Sequence, residues 1–101
     1  MKKITKTPVK TVVIEEKTEI VEEEGGLITL LGKRVCLMCM NYIYVGTLTG
    51  VNTTCLCVED AGIVYSTGDW SLSTWKDFQK LPAKQVFVNV ESVESFFEAA
   101  K

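Results

Sequence analysis

The chain of 101 residues has room for one small domain and a tail, but not for a second hydrophobic core. Its residues are 47% hydrophobic and 24% charged, which is typical of a globular protein and excludes a disordered or fibrous one. The net charge of -2, with Arg34 as the single arginine, excludes a broad basic face that grips duplex nucleic acid. Any role in nucleic-acid binding must therefore be local.

No apolar run approaches the roughly 18 residues that a membrane span requires. The lysines near residue 1 are followed only by the short apolar run 12–14, which is too short for the core of a signal peptide. We therefore expect a cytoplasmic protein that has no membrane partner.

Charge divides the first 26 residues into two blocks. Residues 1–10 carry four lysines and no acid, whereas residues 15–24 carry six glutamates and one lysine. Blocks of this kind are typical of a solvated tail. We predict a charged tail over residues 1–26, either disordered or forming an added strand. Gly25-Gly26 marks its boundary with a domain over residues 27–101.

The domain is predicted to be mainly β. Leu27 to Leu31 form a short apolar turn that ends at Gly32, which predicts one short helix. Five segments rich in β-branched and aromatic residues predict five strands, at residues 35–40, 42–51, 54–58, 85–90 and 93–97. Residues 63–65 either extend the third strand beyond a kink or start another strand, and the last segment also fits a helical spacing.

Two further features shape this sheet. Gly46 and Gly50 lie inside the second strand and mark bulges or bends, which would curl a small sheet into a partly open barrel. Between residues 66 and 82, Ser73-Thr74 followed by three apolar residues at a spacing of three predicts a helix that ends at Pro82. We therefore predict a helical insertion before the fourth strand.

Three segments carry a resemblance to the Sm-like family: residues 31–35, 45–52 and 56–61 resemble its first motif. Residues 88–93 lie where its second motif stands and keep the aliphatic positions, with Asn89-Val90 in place of an arginine-glycine pair. The resemblance covers about residues 27–97, apart from the insertion. It implies a short N-terminal helix and five strongly bent strands in a partly open barrel.

The same resemblance implies self-association. In the family, the last two strands of neighbouring subunits pair and close a ring, which protects sheet edges without a cap. The chain would then form a homo-oligomeric ring whose subunit seam consists of Val86, Val88, Val90, Val93 and Phe96. The alternative is that both segments pack in the core of a monomer.

RNA-binding members of the family present an aspartate, an aromatic residue and an asparagine in one loop, and the arginine of the second motif completes a base pocket. Here Asn52 stands at the aspartate position, and Thr53-Thr54 supplies no aromatic residue. Loss of a stacking side chain removes about 1 to 3 kcal/mol per base. Two interpretations follow: a diverged pocket for single-stranded RNA built from Asn52, Thr54 and Asn89, or no nucleotide pocket.

Four cysteines, in Cys36-x-x-Cys39 and Cys55-x-Cys57, raise the alternative of a zinc domain in which all four are ligands. Because their offset is odd, Cys36 and Cys39 would point to opposite faces of a strand. Free cysteine is also among the residues most often buried. We therefore favour core packing, and we expect no metal and no cofactor.

Trp70 and Trp75 form a candidate patch for protein partners, or else they pack the insertion onto the barrel. The chain has no histidine, so Glu59-Asp60 and the serines lack the commonest catalytic base. We predict no enzyme. The leading hypothesis is a non-enzymatic Sm-like ring with a diverged site for single-stranded RNA, and its rival is a protein-only structural or adaptor assembly.

Overall fold

The computed structural model describes residues 9–14, 17–22 and 26–101. Strands β1 (Val9–Ile14) and β2 (Lys17–Glu22) form an antiparallel two-stranded sheet of their own. The remaining residues of the predicted tail, 1–8, 15–16 and 23–25, lie outside the described residues. The division into a tail and a domain therefore stays a prediction.

A second, six-stranded antiparallel sheet makes up the body of the domain. Its strands are β3 (Arg34–Cys39), β4 (Ile43–Val51), β5 (Cys55–Ser66), β6 (Asp77–Lys80), β7 (Gln85–Asn89) and β8 (Val93–Glu98). The spatial order is β6-β5-β4-β3-β8, and β7 pairs with another part of β5. The predicted mainly β fold is confirmed, and each of the five predicted strands is present. The last segment is a strand and not a helix.

The long strands β4 and β5 bend together. Asp60 has a positive φ of 52° and divides β5 into a first half that pairs with β7 and a second half that pairs with β6. The pairing of β4 with β5 shifts register between Val45 and Thr47, as the sequence predicted for Gly46. A Cβ atom on Gly46 would stand 2.9 Å from the Cβ of Ala61, so glycine permits the close approach of the two strands.

The prediction of a helical insertion before the fourth strand is wrong, because β6 occupies part of that segment. Phe78 and Gln79 pair with Val64 and Ile63 of β5, and this pairing satisfies backbone groups that a helix would leave exposed on the sheet edge. Tertiary pairing thus overrides a local spacing that fits either structure. β6 and β7 follow the same edge of β5 and are separated by residues 81–84, which include Pro82.

The predicted short helix at Leu27 to Leu31 is a 3-10 helix over Gly26–Leu30. Gly32 follows it with a φ of 84°, which is the left-handed conformation expected of a residue that closes a helix. No helix in the described part of the chain is long and apolar enough to cross a membrane.

Apolar side chains are buried on both faces of the sheet. One cluster is covered by the 3-10 helix and consists of Val35, Leu37, Leu48, Leu56, Val58, Ala61 and Val88. A smaller cluster of Cys36, Val45 and Val64 is covered by Trp75 and Phe78. Successive residues of a strand point to opposite faces, so β3 contributes to both clusters. Each fully buried aliphatic side chain stabilises the fold by about 1.5 to 3 kcal/mol.

Candidate nucleic-acid interface and subunit edges

Asn52 organises the tight loop that connects β4 to β5. Its Oδ1 accepts hydrogen bonds from the Thr54 amide at 2.7 Å, the Cys55 amide at 2.8 Å and the Thr54 hydroxyl at 3.0 Å. This is the local side-chain-to-backbone bonding that makes asparagine a turn residue. The carbonyl oxygen is therefore used within the loop, and the exposed Nδ2 group is the part of this side chain that can meet a ligand.

Asn89 plays a similar part at the end of β7. Its Oδ1 accepts a hydrogen bond from the Glu91 amide at 3.0 Å and starts the 3-10 turn Val90–Ser92 that leads into β8. Asn89 lies opposite Cys55 in the β5–β7 pairing, and the Val90 amide donates to the Thr54 carbonyl at 2.9 Å. The structure thus brings Asn52, Thr54 and Asn89 to one end of the sheet, on two loops that are bonded to each other.

The electrostatics of this loop pair differ from those of a basic pocket. Its exposed groups are amides and hydroxyls, together with the carboxylate of Glu91. Arg34, the single arginine, is engaged elsewhere: its Nη1 donates to the Asp60 carbonyl at 3.1 Å and lies 3.6 Å from Oδ2 of Asp60. Asp60 is five residues from Cys55 along β5, which is about 16 Å of extended strand. The loop pair can therefore hydrogen-bond to base edges but supplies neither a stacking ring nor a cation.

Strands β7 and β8 lie at opposite edges of the sheet, and β6 shares the edge that carries β7. β7 pairs on one side with β5, and β8 pairs on one side with β3, while the other side of each strand has no partner among residues 26–101. Both edges therefore present unpaired backbone groups. They are joined directly by the three-residue turn Val90–Ser92.

The predicted seam side chains lie mostly on the inner face of these strands. Val88 is 4% exposed and belongs to the larger core, and Val86, Val90 and Val93 pack against that core. Phe96 is 37% exposed. Contact between subunits through these strands would thus use the backbone and the outward side chains instead.

Phe87 is an outward residue of β7 that the predicted seam omitted. It is 63% exposed and lies between Val86 and Val88. The strict alternation of residues 86–90 could have identified Phe87 from the sequence, because it places this residue on the face opposite the core valines. The open side of β7 thus carries a large exposed apolar side chain beside unpaired backbone groups.

Trp70 and Trp75 lie next to each other in the loop between β5 and β6. Their ring centroids are 5.2 Å apart with planes at 87°, and the Trp70 centroid is 6.2 Å from that of Phe97. Trp75 packs against the smaller core, whereas Trp70 is 47% exposed. The structure therefore gives the two residues of the predicted partner patch different environments.

The four cysteines are free thiols. Cys36 and Cys39 belong to different clusters on the two faces of β3, as their odd offset predicted. Burial, with a smaller contribution from Cys39, raises the pKa of Cys36 to about 11, which disfavours the thiolate that metals require. Within the described residues no three side chains of the His, Cys, Asp or Glu type are grouped to hold a metal ion.

No protein-family model and no curated protein matches this chain. Among solved structures, the chain is similar to a heptameric archaeal Sm protein described for its implications for the eukaryotic snRNP core. The TM-score is 0.55 at 19% sequence identity, and the match covers 72% of this chain and 94% of that chain. The fold of this chain is therefore Sm-like, as the motif resemblance predicted.

Proposed function

We propose that this chain is a non-enzymatic Sm-like module that assembles into a homo-oligomeric ring. The carrying observation is that β7 and β8 are open strands on opposite edges of one sheet. Pairing of β7 in one copy with β8 in the next would use one strand from each edge. A repeated head-to-tail contact closes a ring when its rotation allows. The heptameric assembly of the similar archaeal Sm protein supports this proposal.

Exposed aromatic side chains on the two edge strands support the same proposal. Phe87 on β7 is 63% exposed, and Phe96 and Phe97 on β8 are 37% and 40% exposed. Pairing of the edges in neighbouring copies would cover part of this surface. Phenylalanine is among the aromatic residues that are enriched in the buried cores of protein interfaces.

The test is the native mass of the protein, measured by light scattering after size exclusion and by native mass spectrometry at several concentrations. We expect a closed assembly of several subunits. Phe87→Lys should shift it toward smaller species while the circular dichroism spectrum stays unchanged. Leu72→Lys is the matched control, because Leu72 is 57% exposed but lies in the β5–β6 loop. A monomeric wild-type protein at every concentration would contradict the proposal.

A second proposal is that the ring binds single-stranded RNA at the loop pair of Asn52, Thr54 and Asn89. The hydrogen bond from Val90 to Thr54 supports it, because it joins the two loops that carry these exposed amide side chains. Each site would be weak without a stacking ring, and repetition around a ring would add avidity. The affinity should depend only weakly on salt, because few phosphates can be neutralised.

Fluorescence anisotropy with labelled oligouridine and oligoadenine tests this second proposal on nuclease-treated protein. Asn89→Asp keeps the oxygen that starts the 3-10 turn but removes the amide donor and adds a negative charge, so it should weaken binding strongly. Asn52→Ala should also weaken binding, whereas the neighbouring Thr53→Ala is the control. Binding that neither asparagine variant weakens would refute the site. No binding to either oligonucleotide would favour the protein-only structural or adaptor assembly.

A further inference from the structure

The β5–β6 loop wraps around the ammonium group of Lys101. The Nζ atom donates to the carbonyl of Leu72 at 2.7 Å and to that of Trp70 at 3.2 Å. The carbonyls of Asp69 and Thr74 lie at 3.4 and 3.5 Å from the same atom. Four main-chain oxygens from one short loop thus converge on a single cation.

An aromatic face completes this site. The Lys101 Nζ lies 4.4 Å from the ring centroid of Trp75, within the range of a cation–π interaction. The carboxylate of Asp69 is used within the loop, since its Oδ1 accepts hydrogen bonds from the Ser71 amide at 2.9 Å and the Ser71 hydroxyl at 2.8 Å. The groups within hydrogen-bond distance of the ammonium are main-chain carbonyls, beside a π face. The Asp69 carboxylate adds a longer-range attraction: its pKa is lowered first by the hydrogen bonds from Ser71 and then by the charge of Lys101.

These groups select a particular kind of cation. Carbonyl oxygens that point at one another repel unless a positive charge or a donor lies between them. An alkylammonium group offers three N–H donors on a compact charge, which suits several acceptors around one point. Guanidinium presents its donors in a rigid planar fork and does not match this arrangement.

The position of Lys101 links this site to the sheet. The nearby Ala99 donates its amide to the Arg34 carbonyl at 2.8 Å and packs against the smaller core. The loop carries Trp70 and Trp75, whose rings meet edge to face. An ammonium bound in the loop thus ties the tryptophan pair to the end of β8.

We infer that the β5–β6 loop is a binding site for a primary alkylammonium group, which Lys101 occupies in this structure. Occupation orders the loop and holds Trp70 and Trp75 in their packed arrangement. Loss of the charge by substitution of the lysine opens the loop and exposes the tryptophans. The carbonyls and the ring that hold the ammonium belong to neither edge strand and not to the asparagine loop pair.

Chemical rescue tests the site. Lys101→Ala should shift tryptophan emission to longer wavelength and increase quenching by acrylamide, whereas Lys84→Ala, the control at another exposed lysine, should change neither. Added n-butylammonium chloride should reverse both changes in Lys101→Ala. Tetramethylammonium chloride at equal ionic strength should not reverse these changes, because that cation has no N–H donors.

Three results would overturn the inference. They are wild-type emission and quenching in Lys101→Ala, failure of butylammonium to reverse the changes, or equal reversal by tetramethylammonium. If Lys101→Ala does not fold, Lys101→Met keeps the apolar stem without the charge and should show the same opened loop. A packed loop in Lys101→Met would then refute the role of the ammonium.

Discussion

Replacement of Gly46 by alanine would probe the bend that β4 and β5 share. The new Cβ would stand 2.9 Å from the Cβ of Ala61 and 3.1 Å from the Glu59 carbonyl oxygen. Non-bonded carbons prefer a separation of about 3.5 to 4.0 Å, so the strands must move apart. Overpacking of this kind costs about 1 to 3 kcal/mol of unfolding free energy. Urea unfolding, followed by circular dichroism at one fixed protein concentration, measures that loss.

A double-mutant cycle with Ala61→Gly separates this collision from other effects of Gly46→Ala. Because Ala61→Gly removes the opposing methyl group, the double variant should be more stable than the two single losses predict, by at least about 0.5 kcal/mol. Gly50→Ala is the matched control, since its nearest neighbour, the Cβ of Cys57, lies at 3.4 Å. Additive losses, or an equal loss in Gly50→Ala, would refute the close-approach explanation.

Two further predictions concern pH. The pKa of Cys36 is raised from 9.0 to about 11, first by burial and then by Cys39, so its contribution to stability is complete below pH 9 and is lost as the pH rises through 11. The urea midpoint of unfolding should fall as the pH rises from 9 to 11, and it should fall less in Cys36→Ala. An equal fall in the two proteins would contradict this prediction. The pKa of Asp60 is lowered below its usual 3.8 by the hydrogen bond and charge of Lys80, with Arg34 contributing less. The contribution of Asp60 to the free energy of unfolding is therefore present above pH 3.8 and lost as the pH falls through the lowered pKa. Asp60→Asn should remove this part of the stability loss in acid. An identical loss of stability with falling pH in both proteins would show that Asp60 makes no such contribution.

The sequence predicted the strands well where alternation and β-branched residues agree, as in residues 85–90. It left open whether residues 63–65 continue the third strand, and the structure answers through Asp60, whose left-handed conformation bends β5 without ending it. β6 could not be predicted. Its four residues have little strand propensity, and it forms because the second half of β5 needs a partner.

The candidate site, like the strands, could be predicted from the sequence only in part. The resemblance to the Sm-like family left two interpretations, a diverged pocket of Asn52, Thr54 and Asn89 or no nucleotide pocket. The structure places the three residues on two bonded loops, and their role in binding stays a prediction. The use of both asparagine oxygens within their own turns depends on backbone geometry, which spacing alone does not reveal. The Lys101 site was beyond sequence reasoning for the same reason, since its ligands are main-chain carbonyls that any residue carries.

The interruption between β6 and β7 limits what the open edge can bind. β7 offers only five residues, bounded on one side by the segment that contains Pro82 and on the other by the 3-10 turn Val90–Ser92. A long flat edge would accept almost any extended chain in many registers and would favour fibril growth. An edge this short accepts one short strand in few registers. The break at residues 81–84 therefore limits the registers in which another strand can add to β7, and β8, with six residues, has a suitable length to pair with it.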